Sequence, residues 1–459
     1  MEESDKRFKE KSLIARMQRI DRWALPWSVL GIVALGYFFT FFDITDIGIA
    51  MPAIDVQFHL SSSESLFLAL SIGLIGYVIG SFVIGNLADR YGRFSMMIVT
   101  VVLMAIGSFG DAGSTDVAML TVFRFITGLG LGADLNLVPA YVAEFSPAKE
   151  RGHFGYITFF LGILGQAVTP FVGLALVPVY FNGWRYLFIV GGIIAVVAIL
   201  LRAELPRSPR WLIGRGRYEE ANKIISMLEQ NLKMKGEVLT ELKPEDINKV
   251  NIESVETKLP LSYLWRKPYI KRMLVFGLFW NLAYFGMYAY LGDAPSILTA
   301  YGIPISSSIL FIAIGAIGYP IGALSGWSIA DKTERKYLVL VGTVFWLLGM
   351  VIIGTKIDSV IITAGAFIVA YGQGFILGIA YMYTSESYPT KARTSGFAMG
   401  DGLGHVGAAA GALLFPLLII STGFFLGFTL TGIIMLVAGI IIIVGGPKAT
   451  KQQLEDLST

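Results

Sequence analysis

Three aspartates, Asp43, Asp46 and Asp134, stand inside long apolar runs, where an ionisable side chain is costly and marks a functional site by default. Asp43 and Asp46 lie three apart in Phe41-Phe42-Asp43-Ile44-Thr45-Asp46, so on a helix they share one face, a turn from each other. Paired carboxylates in an apolar surrounding can take a proton from one side and release it to the other as their dielectric changes. Asp134 sits in the stretch Arg124 to Gly152, about ten residues from its charged end, too deep to reach water along its own side chain. Gly128, Gly130 and Gly132 precede it and let neighbouring backbones approach closely. Binding and release of protons is the chemistry these acids predict.

A second set of residues is aromatic with polar tips. Trp280, Asn281, Tyr284 and Tyr288 recur at a spacing that puts them on one side of a helix, and Tyr371, Gln373 and Tyr383 do the same farther on. Such side chains suit an apolar cavity with a few oriented hydrogen bonds. His405, in Gly402-Leu403-Gly404-His405, adds an imidazole able to pair with an anionic solute or an aspartate. Gln166 contributes an amide. The substrate-binding candidates are therefore Gln166, Trp280, Asn281, Tyr284, Gln373, Tyr383 and His405.

The elements that must hold these residues are membrane-spanning helices. The chain is 55% hydrophobic and 15% charged, against about a quarter charged in ordinary soluble domains, so a soluble globular fold is excluded. Apolar runs of spanning length begin near Leu25, Ser65, Phe94, Val117, Phe154 and Tyr186, and again near Met273, Ser306, Tyr337, Val360, Gly396 and Phe424. An all-α membrane protein of twelve helices in two six-helix bundles is expected. The bundles occupy residues 25–203 and 269–446; residues 1–24 form an N-terminal segment and 447–459 a tail. Residues 204–268 form a linker with amphipathic helices, too short and charged for a core of its own. Lysine and arginine concentrate in alternate connections, which predicts a multi-pass protein of the cell membrane with both termini cytoplasmic.

Other classes find no support. The chain has no cysteine, so disulfides, iron–sulfur clusters and thiol catalysis are excluded. Its three histidines lack metal-site spacing, and neither a metal nor a cofactor is expected. There is no Walker-type phosphate loop and no nucleophile–base pattern, so the chain does not read as an enzyme. The net charge of +3 is too small for a nucleic-acid partner.

The two halves repeat. Ala88-Asp89-Arg90-x-x-Arg93 returns as Ala330-Asp331-Lys332-x-x-Arg335, and Glu144-x-x-Pro147-x-Lys149-x-Arg151 returns as Glu386-x-x-Pro389-x-Lys391-x-Arg393, both after 242 residues (331 − 89 and 386 − 144). Gly130 and Gly132 map likewise onto Gly372 and Gly374. Duplicated bundles of this kind place a binding site between them, near the bilayer midplane. Asp43, Asp46, Asp134 and Gln166 map onto Phe285, Tyr288, Ile376 and Ala408, so proton coupling by Asp43, Asp46 and Asp134 is expected to belong to the first half. Asp89, Arg90, Arg93, Arg124, Glu144, Arg151, Asp331, Arg335, Glu386 and Arg393 are expected as gating and structural charges, those at the helix ends bridging the halves at the inner mouth.

At these residues the sequence resembles the major facilitator superfamily. Gly85-Asn86-Leu87-Ala88-Asp89-Arg90-Tyr91-Gly92-Arg93 looks like the signature between its second and third spans. Arg124-Phe125-x-x-Gly128 looks like its fourth-span motif, and Ser208-Pro209-Arg210-Trp211-Leu212 like the linker of its sugar-porter-like branch. Departures are Arg207 where the linker usually carries an acid, and Glu334 where a glycine is typical. A span-seven glutamine pair is also missing from Phe279-Trp280-Asn281-Leu282-Ala283-Tyr284. Gly128-x-Gly130-x-Gly132-x-Asp134 and Asp43-x-x-Asp46 resemble patterns of proton-coupled phosphate carriers. The resemblance implies a monomeric, proton-coupled symporter of a small polar solute, an organic acid or a sugar, working by alternating access. A phosphate or organic-cation carrier of the same fold is the alternative, and a transporter-like solute sensor is the alternative of another class.

Overall fold

The computed structural model describes residues 2–60, 71–147, 150–249, 264–267, 269–330, 332–356, 358–388 and 393–448, and every regular element among them is helical. A surface helix α1 (Glu2–Gln18) precedes the first bundle: α2 (Trp27–Phe58), α3 (Ile72–Tyr91), α4 (Arg93–Gly113), α5 (Val117–Phe145), α6 (Arg151–Leu176) and α7 (Gly183–Arg202). The linker carries α8 (Pro209–Gly214), α9 (Tyr218–Met234) and α10 (Pro244–Lys249). The second bundle is α11 (Tyr269–Ala300), α12 (Ile305–Ala316), α13 (Gly318–Ile329), α14 (Arg335–Thr355), α15 (Ser359–Glu386), α16 (Arg393–Thr422) and α17 (Phe424–Gly445). Among the described residues eleven helical segments are long and apolar enough to cross a bilayer, and Ile72–Ala88 is a shorter apolar helix that makes the twelfth. The expected start near Ser65 lies outside the described residues. Helices α12 and α13 form one span broken at Ile317; Pro320, three residues on, has no N–H to give the Ala316 carbonyl.

Close packing explains the glycines. A Cβ on Gly128 would lie 2.0 Å from the Gly73 carbonyl oxygen, one on Gly132 2.0 Å from that of Tyr77, and one on Gly130 2.5 Å from that of Thr100. Spaced two apart, they face α3 and α4 in turn, and α5 packs backbone to backbone in the corner between them. The contacts repeat with the sequence. A Cβ on Gly374 would lie 2.0 Å from the Tyr319 carbonyl oxygen and one on Gly372 2.9 Å from that of Gly342, each residue 242 beyond its counterpart.

The linker departs from expectation. Leu212, Ile213, Ala221 and Ile225 bury themselves against Leu13, Ile14 and Ala15 of α1, forming a small core separate from the main one. The N-terminal segment supplies the apolar face that the linker lacks. Arg16 donates to Glu229 at 2.9 and 2.7 Å and Arg19 to the same carboxylate at 2.6 Å. Lys235 donates to the Trp23 carbonyl at 3.1 Å, tying the linker to the first bundle.

Candidate functional site

Charge is gathered at two places within the first bundle. On α5, seven residues after Val117, Arg124 is 3% exposed and faces three fully buried carboxylates. It donates to Asp111 at 3.1 Å and to Asp46 at 3.4 Å, with Asp43 at 3.7 Å, and its second nitrogen donates to the Asp43 carbonyl at 3.4 Å. Ser108 donates to Asp43 at 3.2 Å. The helical spacing of Asp43 and Asp46 points both at Arg124, and α4 brings Asp111 from across the short turn to α5. One oxygen of each acid has no hydrogen-bond partner among the described residues. Arg124, expected among the gating and structural charges, lies in the bundle interior. Asp111 was missed because it lies near a helix end and read as loop.

The second place surrounds Asp134, which is expected among the proton-coupling acids. Arg202, the last residue of α7, turns inward and grips Asp134 with two nitrogens, at 2.7 and 3.1 Å. Thr100 and Thr40 donate to the same carboxylate at 2.8 and 2.9 Å, so both oxygens are doubly bonded. The guanidinium also donates to the Met97 carbonyl at 2.8 Å. It fits because α2 has a glycine there: a Cβ on Gly36 would lie 2.1 Å from an Arg202 nitrogen. A terminal arginine looks solvated in sequence, but its long stem reaches the interior.

Between the bundles lies a cluster of rings around an acid that sequence reasoning overlooked. Asp401 of α16 is 1% exposed and accepts the hydroxyl of Tyr77 from α3 at 3.0 Å, with that of Tyr284 from α11 at 2.5 Å. Tyr284 and Tyr381 share a hydrogen bond of 3.1 Å. His405 stacks on Tyr77 with centroids 3.6 Å apart and shares a 3.1 Å hydrogen bond with Tyr288. Trp280 stacks on Tyr381 and donates to Thr384 at 3.0 Å. A small cavity is lined by Tyr77 and Tyr288 of this cluster and by Arg124, Ile44 and Leu131. Asp293 on α11 is also buried, so buried acids are not confined to the first half.

The other expected residues divide. Gln166 and Gln373 are buried, and each has one amide atom without a hydrogen-bond partner among the described residues. Asn281 donates to its own helix, at Gly277, at 2.8 Å. Tyr383 turns away from the ring cluster: its hydroxyl donates to the Pro447 carbonyl at 2.5 Å and its ring packs on Phe276. Tyr381, two residues earlier, takes the place expected of it. Arg93 pairs with Glu144 and Arg335 with Glu386, each pair within one bundle. The repeat explains it, since each pair closes a helix corner and recurs after 242 residues. Arg90 is exposed, Asp331 lies outside the described residues, and so do the side chains of Asp89, Arg151 and Arg393. Contacts between bundles are made elsewhere. Tyr156 donates to the Ala323 carbonyl at 2.6 Å on the linker side, and a Cβ on Gly48 would lie 2.1 Å from the Leu291 carbonyl on the far side.

The family described as "Sugar (and other) transporter" matches residues 29–459. The chain is 27% identical over 440 residues to the putative metabolite transport protein YyaJ of Bacillus subtilis, covering 96% of each. It is 26% identical over 457 residues to the niacin transporter NiaP of Acinetobacter baylyi, covering 97% of this chain and 99% of that one. The proton:xylose symporter XylE of E. coli, bound to 6-bromo-6-deoxy-D-glucose, has the same fold, with a TM-score of 0.74 at 21% identity over 94% of this chain and 98% of that one.

Proposed function

We propose that this chain, which belongs to the sugar (and other) transporter family and has the major facilitator fold, is a proton-coupled secondary transporter of a small polar solute. The observation that carries the proton role is the excess of acid around Arg124. One guanidinium balances one carboxylate, and the other two stay buried at membrane depth only when protons or cations offset them. Asp43, Asp46 and Asp111 are the proton carriers in this reading, and Arg124 senses how many of them are ionised. Asp134, expected among the carriers, is assigned a structural role because Arg202 already neutralises it.

The solute site is assigned to the space between the bundles, where Arg124, Tyr77 and Tyr288 line a small cavity. Protons bound beside Arg124 thereby act on contacts that join the halves, Tyr77 to Asp401 among them. Organic acids and sugars are the classes the sequence favours, with phosphate and organic cations as alternatives; niacin and xylose appear in the names of relatives. Both termini and the linker are assigned to the cytoplasm of a plasma-membrane protein, and the protein to a monomer.

Purified protein in liposomes tests the reading. Asp46→Asn and Asp111→Asn should abolish uptake driven by a pH gradient while solute counterflow continues. Gradient-driven uptake at wild-type rates in both variants refutes the assignment. Saturable binding with no flux under either condition would favour the solute sensor.

A further inference from the structure

Among the described residues of the two bundles two buried acids, Asp293 and Asp401, have no ion pair, and Asp401 is the one set among aromatic rings. Asp43, Asp46 and Asp111 share Arg124, and Asp134 holds Arg202. Asp401 has no ion pair among the described residues. Its partners are tyrosine hydroxyls, which bond a carboxylate without neutralising it. A carboxylate offers about four lone-pair sites, and only two are taken here.

The rings around it complete a recognisable chemistry. Trp280 stacks on Tyr381 at 5.1 Å and meets Tyr284 at 4.8 Å, and Tyr284 lies 4.3 Å from His405. Aromatic faces attract cations, most strongly when both are out of water, and a buried carboxylate beside them supplies the full counter-charge. His405 does not fill that role: its Nδ1 is engaged with the Asp401 backbone carbonyl at 2.8 Å, away from the carboxylate. An anion in the same place would meet a carboxylate and the negative faces of the rings.

We propose that Asp401, with Trp280, Tyr284 and Tyr381, is a subsite for a solute that carries a cationic nitrogen, an ammonium or a protonated heterocycle, on a flat apolar body. This rests on the transporter reading and selects the organic-cation alternative over organic acids and sugars. The Tyr77 hydroxyl now occupies part of the position that the cation's N–H would take. Tyr77 belongs to the first bundle and Asp401 to the second, so a cation competing for the carboxylate loosens a contact that holds the halves together. Binding is thereby linked to opening.

Three probes of one shape and different charge decide the matter: benzylammonium, benzyl alcohol and benzoate, titrated calorimetrically into the purified full-length protein. Benzylammonium should bind at least tenfold more tightly than benzyl alcohol, with benzoate weakest. Asp401→Asn should remove that tenfold advantage and leave benzyl alcohol unchanged. Trp280→Leu, which keeps the carboxylate, should weaken benzylammonium about fivefold. Benzoate binding as well as benzylammonium, or an unchanged benzylammonium affinity in Asp401→Asn, overturns the proposal. So does uptake of a sugar or organic acid by a protein that shows no preference for benzylammonium, a result that leaves the transporter reading standing. Loss of gradient-driven uptake in Asp401→Asn with full benzylammonium binding would assign Asp401 to the proton instead.

Discussion

Among its described residues the first bundle holds two buried arginines, and they are paired in opposite ways. Arg202 meets one carboxylate in a two-pronged grip, and threonines fill what remains of the Asp134 oxygens. Arg124 is spread over three carboxylates at 3.1 to 3.7 Å, and an oxygen of each acid is left unbonded among the described residues. The first arrangement is neutral and geometrically complete, so it gains nothing by changing. The second is over-acidic and loosely bonded, and in the proposed reading proton number alters which acid the guanidinium prefers. Burial is common to both sites; the completeness of the pairing is what separates them.

The largest effect should come from breaking the complete pair. Arg202→Met leaves Asp134 buried and uncompensated, which costs about 3–5 kcal/mol. The melting temperature in detergent should fall accordingly, and adding Asp134→Leu should restore most of it. An unaltered melting temperature in Arg202→Met would erase the contrast between the two sites. Arg124→Gln should behave differently, since its acids can take up protons once the cation is gone. Its fold should persist while gradient-driven uptake falls roughly 5- to 150-fold, the span of a coupling energy of about 1–3 kcal/mol. Equal destabilisation by both arginine variants would make Arg124 another strut.

Smaller changes sharpen the same comparison. Gly36→Ala intrudes on Arg202 and should destabilise by about 1–3 kcal/mol, measured by the same melting assay, with proton coupling intact in counterflow and uptake. The smallest effect lies outside the membrane, at Glu229. Hydrogen bonds and charge from Arg16 and Arg19 hold this half-buried carboxyl below its usual range, against the opposing pull of burial. Its contribution to docking α1 is thus present above the ordinary glutamate range and lost as pH falls through the lowered value. Proteolysis within α1 should accelerate only on acidification, and Glu229→Gln should remove that pH dependence.

Much of the architecture was legible because lipid imposes simple rules. Apolar length gave the spans, and the 242-residue repeat gave two bundles; the glycines spaced two apart are explained by the backbones they meet in α3, α4, α13 and α14. Asp43 and Asp46 were legible as a pair from their spacing alone. Asp111, Arg202 and Asp401 were not. Asp111 and Arg202 lie close to helix ends, where sequence assigns charge to water, and only the lean of α4 and the reach of an arginine stem bring them inside. Asp401 stands eight residues into α16, close enough to the charged Lys391–Arg393 turn to pass for part of it. Tyr383 and Tyr381 show the same limit: two residues apart on α15, one meets the tail and the other the ring cluster, and the rotation that decides this is set by neighbouring helices.

By itself, then, the order of residues determined that this chain spans a membrane twelve times in two related halves and carries acids at depth in the first. Those properties follow from transfer of each segment into lipid, which depends on local composition. Which acid met which arginine was decided only by the packing of helices against one another. Ion pairing acts over a few ångströms between residues that lie 13, 68 or 81 positions apart. No local pattern encodes such distances.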